Sequence, residues 1–260
     1  MNVRFERKGP LTEIGSYPQW AQDMVGECDS AKRAVVDHEM WSKMCRRELQ
    51  PDEHARFMVG LWPVIEGFPG YMARSLMKTR YGRSEGDNLA RRWLVRNIRV
   101  EQNHAEYWLN WAEGVGVSRT EVFQSELPPG SQILAEWCIE ASGQDTLAAG
   151  IAATNYAVEG ATGEWARQVY ESRQYADSFP IATRKASLRW LQLHAAYDDQ
   201  HPWEALEIVC TLLGMSPSVA DVVHVTECVR RTYVCMRVFG DRCLYPAPGT
   251  MSDLPEAVAA

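Results

Sequence analysis

The chain has 260 residues, of which 46% are apolar, and a formal net charge of −7. This composition supplies enough apolar side chains for the core of one large domain or two small ones. The negative charge argues against nucleic acid and against an anionic membrane surface as partners.

The sequence carries no signal for export or for membrane insertion. Its N-terminus lacks the apolar core of a signal peptide, and the apolar stretch at 147–158 is too short for a membrane span and includes Thr154 and Asn155. The seven cysteines are scattered and form no CxxC pair, as in proteins that keep free thiols in a reducing compartment. We therefore predict a cytoplasmic protein without a membrane span, present as a monomer or a homodimer.

Helical periodicity and the positions of Pro and Gly predict a single all-α domain of about seven helices. Residues 1–28 show no periodicity and are expected to form an N-terminal arm, followed by the helical domain at 29–243 and a disordered tail at 244–260. We expect Pro63 and Pro69 to kink or break the second helix. The main helices are predicted at about 31–49, 51–68, 89–113, 132–140, 145–172, 183–213 and 218–242, with a short one at 118–126.

A carboxylate and an imidazole share the apolar face of the predicted helix 89–113. Glu101 and His104 fall in one stripe with Leu94, Ile98 and Trp108 at three- and four-residue steps. A carboxylate in a protein core is costly unless it is paired or bound to a metal. The E-x-x-H spacing is also the ligand pair of di-iron carboxylate proteins built on helical bundles.

A second isolated carboxylate lies in the predicted helix 145–172. Glu159 is the only charged residue between Thr146 and Gly163, and small residues surround it. Small residues allow neighbouring helices to approach closely, so we expect Glu159 at the centre of the bundle. There it is a metal ligand, or a buried carboxyl group with a raised pKa or an arginine partner.

The stretch 190–203 reads WLQLHAAYDDQHPW and contains His194, Asp198 and His201. On one α-helix these four- and three-residue steps place the three side chains on one face. The alternative is a helix with two incidental histidines and a solvated Asp198-Asp199 pair. Pro202 removes a backbone hydrogen bond and disfavours helical geometry at His201, so we expect the helix to bend or loosen there.

Together these residues predict a metal centre. Three carboxylates and three imidazoles suit two divalent ions that share a bridging carboxylate. Two such ions carry four positive charges, whereas the three carboxylates carry three negative charges. The excess positive charge favours an anionic substrate such as a carboxylate. The six predicted ligands are Glu101, His104, Glu159, His194, Asp198 and His201.

The ligand pattern resembles that of the heme-oxygenase-like di-iron oxidases. It combines E-x-x-H on one helix, an isolated Glu on a later one and H-x-x-x-D-x-x-H on a third, within a likeness that spans about residues 30–240. The resemblance implies a single-domain, seven-helix heme-oxygenase-like (TenA-like) bundle. It also implies a better-occupied iron at Glu101, His104, Glu159 and His194, and a more labile iron at Asp198, His201 and a bridging glutamate.

More specifically, the chain is similar to the UndA branch of bacterial fatty-acid decarboxylases. This resemblance implies that two Fe(II) per chain and O₂ convert a medium-chain fatty acid such as dodecanoic acid to 1-undecene and CO₂ through β-hydrogen abstraction. Glu101, Glu159 and His194 would be the catalytic residues, and a protein or small reductant would act as the external electron donor. The alkyl chain requires an apolar tunnel. Tyr156, Met236 and Phe239 are candidates for its wall, or else plain core residues.

Several other functions remain open. Thiaminase-II-like hydrolases and pyrroloquinoline-quinone synthases of this fold use no metal, and Cys138 is the candidate nucleophile of the former. A heme oxygenase would use an early histidine, for which His38 is the candidate. Other di-iron members act on amino acids or amines. A ferritin-type storage protein would bind metal without turnover, but its usual double E-x-x-H pattern is absent.

Overall fold

A computed structural model of the chain describes residues 3–197 and 200–246, and within these ranges the protein is helical without a β-strand. The predicted all-α class is confirmed. None of the helices described is long and apolar enough to cross a membrane. The α-helices are α1 (Gln19–Val36), α2 (Glu39–Cys45), α3 (Pro51–Lys78), α4 (Glu85–Glu101), α5 (His104–Gly114), α6 (Arg119–Gln124), α7 (Gln132–Gly143), α8 (Leu147–Ile151), α9 (Glu159–Glu171), α10 (Arg173–Ala176), α11 (Ile181–Ser187), α12 (Arg189–Tyr197), α13 (His201–Leu213) and α14 (Val219–Leu244).

Hydroxyl side chains mark the beginnings of five of these helices. Ser84, Ser118, Thr146, Ser172 and Ser218 each accept a hydrogen bond from the backbone N–H three residues further along. This is the usual N-cap interaction, which satisfies one of the N–H groups left open in the first helical turn. The cap at Ser218 lies where the sequence predicts the last helix to begin.

The N-terminal boundary and the second helix differ from the prediction. Residues 19–28, assigned to the arm, form the first half of α1, which buries Met24 and Cys28 in the core. α3 continues through Pro63 and Pro69 without a break. Each proline removes one backbone hydrogen bond, but the buried face of α3 keeps the helix in place. The part of the predicted tail after residue 246 lies outside the described residues.

Aromatic side chains fill the core beside the predicted metal centre. Trp41 and Trp165 stack with ring centroids 4.0 Å apart, and Trp190 lies 5.6 Å from Trp165 and 5.5 Å from Trp111. Trp108 meets Trp190 edge to face at 5.0 Å. These rings join α2, α5, α9 and α12 into one packed unit and so fix the helices that carry the predicted ligands.

Candidate metal centre

The structure brings five of the six predicted ligand residues together. Nδ1 of His104 lies 2.5 Å from Oε2 of Glu101, and Nδ1 of His201 lies 3.4 Å from Oε2 of Glu159. The ring of His194 is 4.8 Å from that of His104. The centre therefore consists of two carboxylate–imidazole pairs with His194 beside the first. The sixth residue, Asp198, lies outside the described residues.

The first pair spans a helix boundary, so the predicted continuous helix at 89–113 is wrong at this point. Glu101 is the last residue of α4 and His104 is the first residue of α5. The intervening Gln102 and Asn103 keep right-handed helical backbone angles. For that reason the three-residue spacing still places the two side chains next to each other.

His194 and His201 also belong to different helices, because α12 ends at Tyr197 and α13 begins at His201. The prediction of one continuous helix at 183–213 is wrong, whereas the expected interruption near Pro202 is observed. Proline is well suited to a first helical turn, so Pro202 favours a helix that begins at this point. The two histidines therefore converge because two helices meet.

A π-helical segment, Ala152–Val158, directly precedes Glu159. Within it, the amide of Asn155 donates a hydrogen bond of 2.7 Å to Oε1 of Glu159. The hydroxyl of Thr154 donates to the Gly150 carbonyl at 2.8 Å. Wide π turns occur frequently at functional sites, where they re-aim side chains. The predicted site did not include Asn155. An amide side chain in an apolar stretch, one turn before Glu159, nevertheless indicates a polar contact with that carboxylate.

The environment of His194 fixes which ring nitrogen is available for a ligand. Nδ1 lies 2.8 Å from the Trp190 carbonyl, which only accepts, so Nδ1 carries the hydrogen and Nε2 presents its lone pair. The ring stacks on Trp190 at 3.7 Å. Burial, followed by the neighbouring His104, lowers the pKa of His194 well below its ordinary value. His194 is therefore a neutral imidazole, the form that binds metals.

The Glu159–His201 pair shows how charge is balanced in the protein without a cation. Burial and the nearby Glu101 raise the pKa of Glu159, against the lowering effect of His201 and Asn155. For His201, burial lowers the pKa, but the hydrogen bond and charge of Glu159, with Glu101, raise it more. The pKa values of both groups are therefore raised, which favours a proton bound between Glu159 and His201. A metal cation would take the place of that proton.

The Glu101–His104 pair supports a metal-binding role. Nδ1 of His104 is buried and makes no hydrogen bond, although a carboxylate oxygen is only 2.5 Å away. Two polar atoms that are close but misaligned for a hydrogen bond fit a pair of ligands facing a shared cation. Within the described chain no three ligand atoms of this centre lie within 4.8 Å of one another. A metal at this centre would therefore require these side chains to rotate towards one another, and their N and O donors would suit iron.

An apolar cavity begins at the metal centre and runs between α3, α7, α9 and α14. The cavity volume is about 60 Å³, which is below the usual range for small-molecule sites, so a bound ligand would require the wall side chains to move apart. Apart from four ligand residues and Thr162, its wall is apolar or aromatic. The lining residues include Glu101, His104, Glu159, His194, Leu61, Val64, Phe68, Leu134, Trp190, Met236 and Phe239.

The three predicted tunnel residues divide between two cavities. Met236 and Phe239 line the apolar cavity at the metal centre. Tyr156 instead lines a second cavity, together with Lys32 and Tyr233. The ring of Tyr156 thus lies on the other side of its helical segment, because the π turn changes the register between Tyr156 and Glu159.

The groups proposed for the metal-free and heme alternatives lie elsewhere. Cys138 is fully buried, burial raises the pKa of its thiol, and it does not line the apolar cavity. His38 accepts a hydrogen bond from the Met40 N–H at the start of α2 and lies 3.1 Å from Asp241. Within the described chain, no cysteine borders the metal centre or the apolar cavity.

Comparisons with known proteins agree with the helical architecture. Residues 55–233 match the family described as iron-containing redox enzyme. A TenA homologue from Pseudomonas syringae pv. tomato DC3000 is 47% identical, with a TM-score of 0.91 over 93% of this chain and 99% of that chain.

More distant solved structures have the same fold. A domain with a heme-oxygenase-like fold from Shewanella denitrificans OS217 is 14% identical, with a TM-score of 0.66 over 86% of this chain and 89% of its own. A candidate TenA-like thiaminase from Sulfolobus solfataricus P2 is 13% identical, with a TM-score of 0.63 over 88% and 97%. No curated protein matches the sequence. The predicted heme-oxygenase-like, TenA-like bundle is confirmed.

Proposed function

Because the chain belongs to the iron-containing redox enzyme family with the heme-oxygenase-like fold, we propose that it is an O₂-dependent non-heme iron oxidase that decarboxylates medium-chain fatty acids to terminal alkenes. The observation that carries this proposal is the position of the two carboxylate–imidazole pairs at the end of an apolar cavity. Bound iron would give this end of the cavity the positive charge that attracts a carboxylate head group, and the apolar wall matches an alkyl chain.

The residues of the centre have distinct tasks in this proposal. Glu101, His104, Glu159, His194 and His201 would hold iron, with Asp198 as the further predicted ligand. Bound iron would supply the binding and reduction of O₂. The Trp190 carbonyl orients His194, and Asn155 orients Glu159. The apolar wall holds the β-carbon near the ligand residues and excludes water from the reacting atoms.

The electron balance of the reaction requires a reductant. Conversion of the acid to alkene and CO₂ releases two electrons and two protons. Reduction of O₂ to two water molecules consumes four electrons and four protons. An external donor, protein or small molecule, would therefore provide the remaining two electrons together with two protons from solvent.

The solved structures favour a second candidate, a thiaminase-type hydrolase. The similar structures are described as TenA homologues and one as a candidate thiaminase, which supports a metal-free hydrolase better than a fatty-acid decarboxylase. Such a hydrolase needs an activated nucleophile, and no cysteine in the described chain reaches the cavity. A related iron oxidase that acts on an amino acid or amine would need polar side chains to bind its substrate. Apart from the candidate metal ligands, Thr162 is the one hydroxyl side chain among the described residues of the cavity wall.

The functional test compares the candidates on one protein preparation. The full chain is loaded anaerobically with Fe(II), given dodecanoic acid, a reductant and O₂, and the headspace is analysed for 1-undecene. We expect the parent chain to release 1-undecene and the His194→Ala variant to release none. Iron binding and O₂ consumption without alkene would reject the fatty acid but keep the oxidase. Loss of thiamine with the metal-free chain would instead support the hydrolase.

A variant that narrows the cavity is expected to change the preferred chain length. Leu134 lies in the cavity wall, so Leu134→Trp should shift activity from dodecanoic acid towards shorter acids. Each methylene excluded from the wall loses about 0.8 kcal/mol, or about fourfold in kcat/KM. The control is Ile139→Trp on the same helix, where the side chain is exposed. An unchanged profile in Leu134→Trp would place the alkyl chain elsewhere.

The hydrogen bond from Asn155 to Glu159 is expected to support iron binding. Asn155→Ala should weaken the affinity for Fe(II) by about 10- to 100-fold, the usual effect of losing a group that orients a metal ligand. Ser142→Ala is a control, because Ser142 is equally buried but donates to the Cys138 carbonyl of its own helix, α7. Equal iron affinity in the two variants would contradict this role of Asn155.

A further inference from the structure

We propose that Asp145, His224 and Cys228 form a second metal site, specific for zinc-type divalent cations and separate from the iron centre. Nε2 of His224 lies 2.6 Å from Oδ1 of Asp145, and Sγ of Cys228 lies 3.3 Å from Oδ2 of the same carboxylate. All three ligand atoms lie within 4.8 Å of one another.

Two structural elements hold these ligands in place. His224 and Cys228 are four residues apart on α14 and therefore lie on one face of that helix. Asp145 lies in the loop between α7 and α8, where its Oδ1 accepts a hydrogen bond of 2.6 Å from the Thr146 N–H. Its backbone carbonyl accepts another, of 2.5 Å, from the ammonium group of Lys78. The carboxylate is thus positioned before any cation binds.

The donor set is that of a zinc site with an open position. Thiolate, imidazole and carboxylate are the three common zinc ligands, and zinc prefers four of them or three plus water. The sulfur ligand disfavours Mg²⁺ and Ca²⁺, which prefer oxygen. Cys228 is buried, whereas half of the His224 side chain is exposed, so water can reach the fourth position.

The charges at this site are compatible with a divalent cation. In the metal-free protein the Cys228 thiol donates to Asp145, and burial together with Asp145 raises the pKa of that thiol. A cation would displace the proton, and its two charges would balance the thiolate and the carboxylate. Of the neighbouring cations, Lys78 faces the backbone carbonyl of Asp145, and Arg231 pairs with Glu140 at 3.4 Å.

Metal binding here would connect two parts of the fold that support the catalytic cavity. The loop ligand, Asp145, precedes α8 and the π-helical segment that leads to Glu159. The helix ligands lie on α14, which further along carries Met236 and Phe239 of the cavity wall. Because the metal binds the folded chain, zinc should raise the thermal midpoint of unfolding.

Cobalt(II) provides a test that separates the two sites. The full chain is stripped with a chelator and titrated with Co²⁺, and absorption from thiolate-to-cobalt charge transfer is recorded in the near ultraviolet. We expect this band to saturate at about one Co²⁺ per chain and to disappear on addition of Zn²⁺. No cysteine of the described chain borders the iron centre, so the band reports only the second site.

Variants show which residues give rise to the charge-transfer band. Cys228→Ser should abolish it, and His224→Ala, at an exposed position, should weaken Co²⁺ binding about tenfold or more. Cys138→Ser and His194→Ala should retain the band, and zinc should raise the thermal midpoint of Cys228→Ser less than that of the parent chain. No charge-transfer band in the parent chain, or a band that survives in both Cys228→Ser and His224→Ala, would overturn the proposal. If Cys228→Ser fails to fold, His224→Ala decides.

Discussion

Glu159→Ala is expected to lower iron-dependent turnover by at least about 100-fold and to reduce the iron bound per chain. Glu159 is buried, receives a hydrogen bond from Asn155 and approaches His201 to 3.4 Å. Alanine removes one of the negative charges that would offset the cation, together with the carboxylate that accepts the hydrogen bond from Asn155. No other carboxylate among the described cavity residues except Glu101 can replace it.

The matched control for this variant is Glu164→Ala. Glu164 lies five residues further along α9, is partly exposed and pairs with Lys32 outside the metal centre. Both variants remove one glutamate from the same helix, but only Glu159→Ala should affect iron and turnover. Metal content is measured by elemental analysis and turnover by alkene release. Parent-like iron content and turnover in Glu159→Ala would remove Glu159 from the centre.

Trp190→Ala is expected to reduce the free energy of unfolding by about 3–5 kcal/mol. Trp190 is almost fully buried, and its ring packs on Trp108, Trp111 and Trp165. It also forms the stacking surface for His194. Truncation to alanine leaves a large cavity beside a predicted metal ligand, so both stability and iron affinity should fall.

Trp190→Phe separates the packing contribution from the indole group. The indole N–H of Trp190 is buried without a hydrogen-bond partner in the described chain. Phenylalanine removes that unsatisfied donor and keeps an aromatic ring, so we expect a smaller loss of about 1–2 kcal/mol. Denaturant unfolding followed by circular dichroism measures both variants. A loss below about 1 kcal/mol in Trp190→Ala would show that the aromatic cluster is not rigidly packed.

The sequence was most informative where a charged side chain interrupts an apolar pattern. Glu101 in an apolar stripe and Glu159 among small residues both predict a buried polar centre, because burial of a carboxylate requires a compensating partner. The all-α class follows equally directly from the long periodic segments. These predictions depend on composition and local spacing, which do not change when a helix is interrupted by a few residues.

The details of the backbone were not predictable in the same way. The break after Glu101, the start of α13 at His201 and the π turn before Glu159 depend on tertiary packing around the site. Helical periodicity assumes the same number of residues in every turn, so it does not detect a wide π turn. For this reason it placed Tyr156 in the tunnel beside Glu159. The start of α1 at Gln19 was missed although Trp20, Met24 and Cys28 recur at four-residue steps, because Pro18 directly before them is also typical of an extended arm.

The donor set of the cavity and the family match agree on iron chemistry. The N and O donors at the cavity fit the iron-containing redox enzyme family to which the chain belongs. The TenA homologue from Pseudomonas syringae has the same fold. In the described chain, carboxylates and imidazoles line the apolar cavity and the cysteines do not.

The most direct test of the iron centre is Mössbauer spectroscopy of the full chain after anaerobic loading with ⁵⁷Fe(II). The Cys228→Ser variant should be used, so that the Asp145 site does not contribute to the signal. We expect about two high-spin Fe(II) per chain with N and O ligands, and loss of at least one of them in His194→Ala. A spectrum without protein-bound iron, or one that His194→Ala leaves unchanged, would contradict an iron centre at these residues.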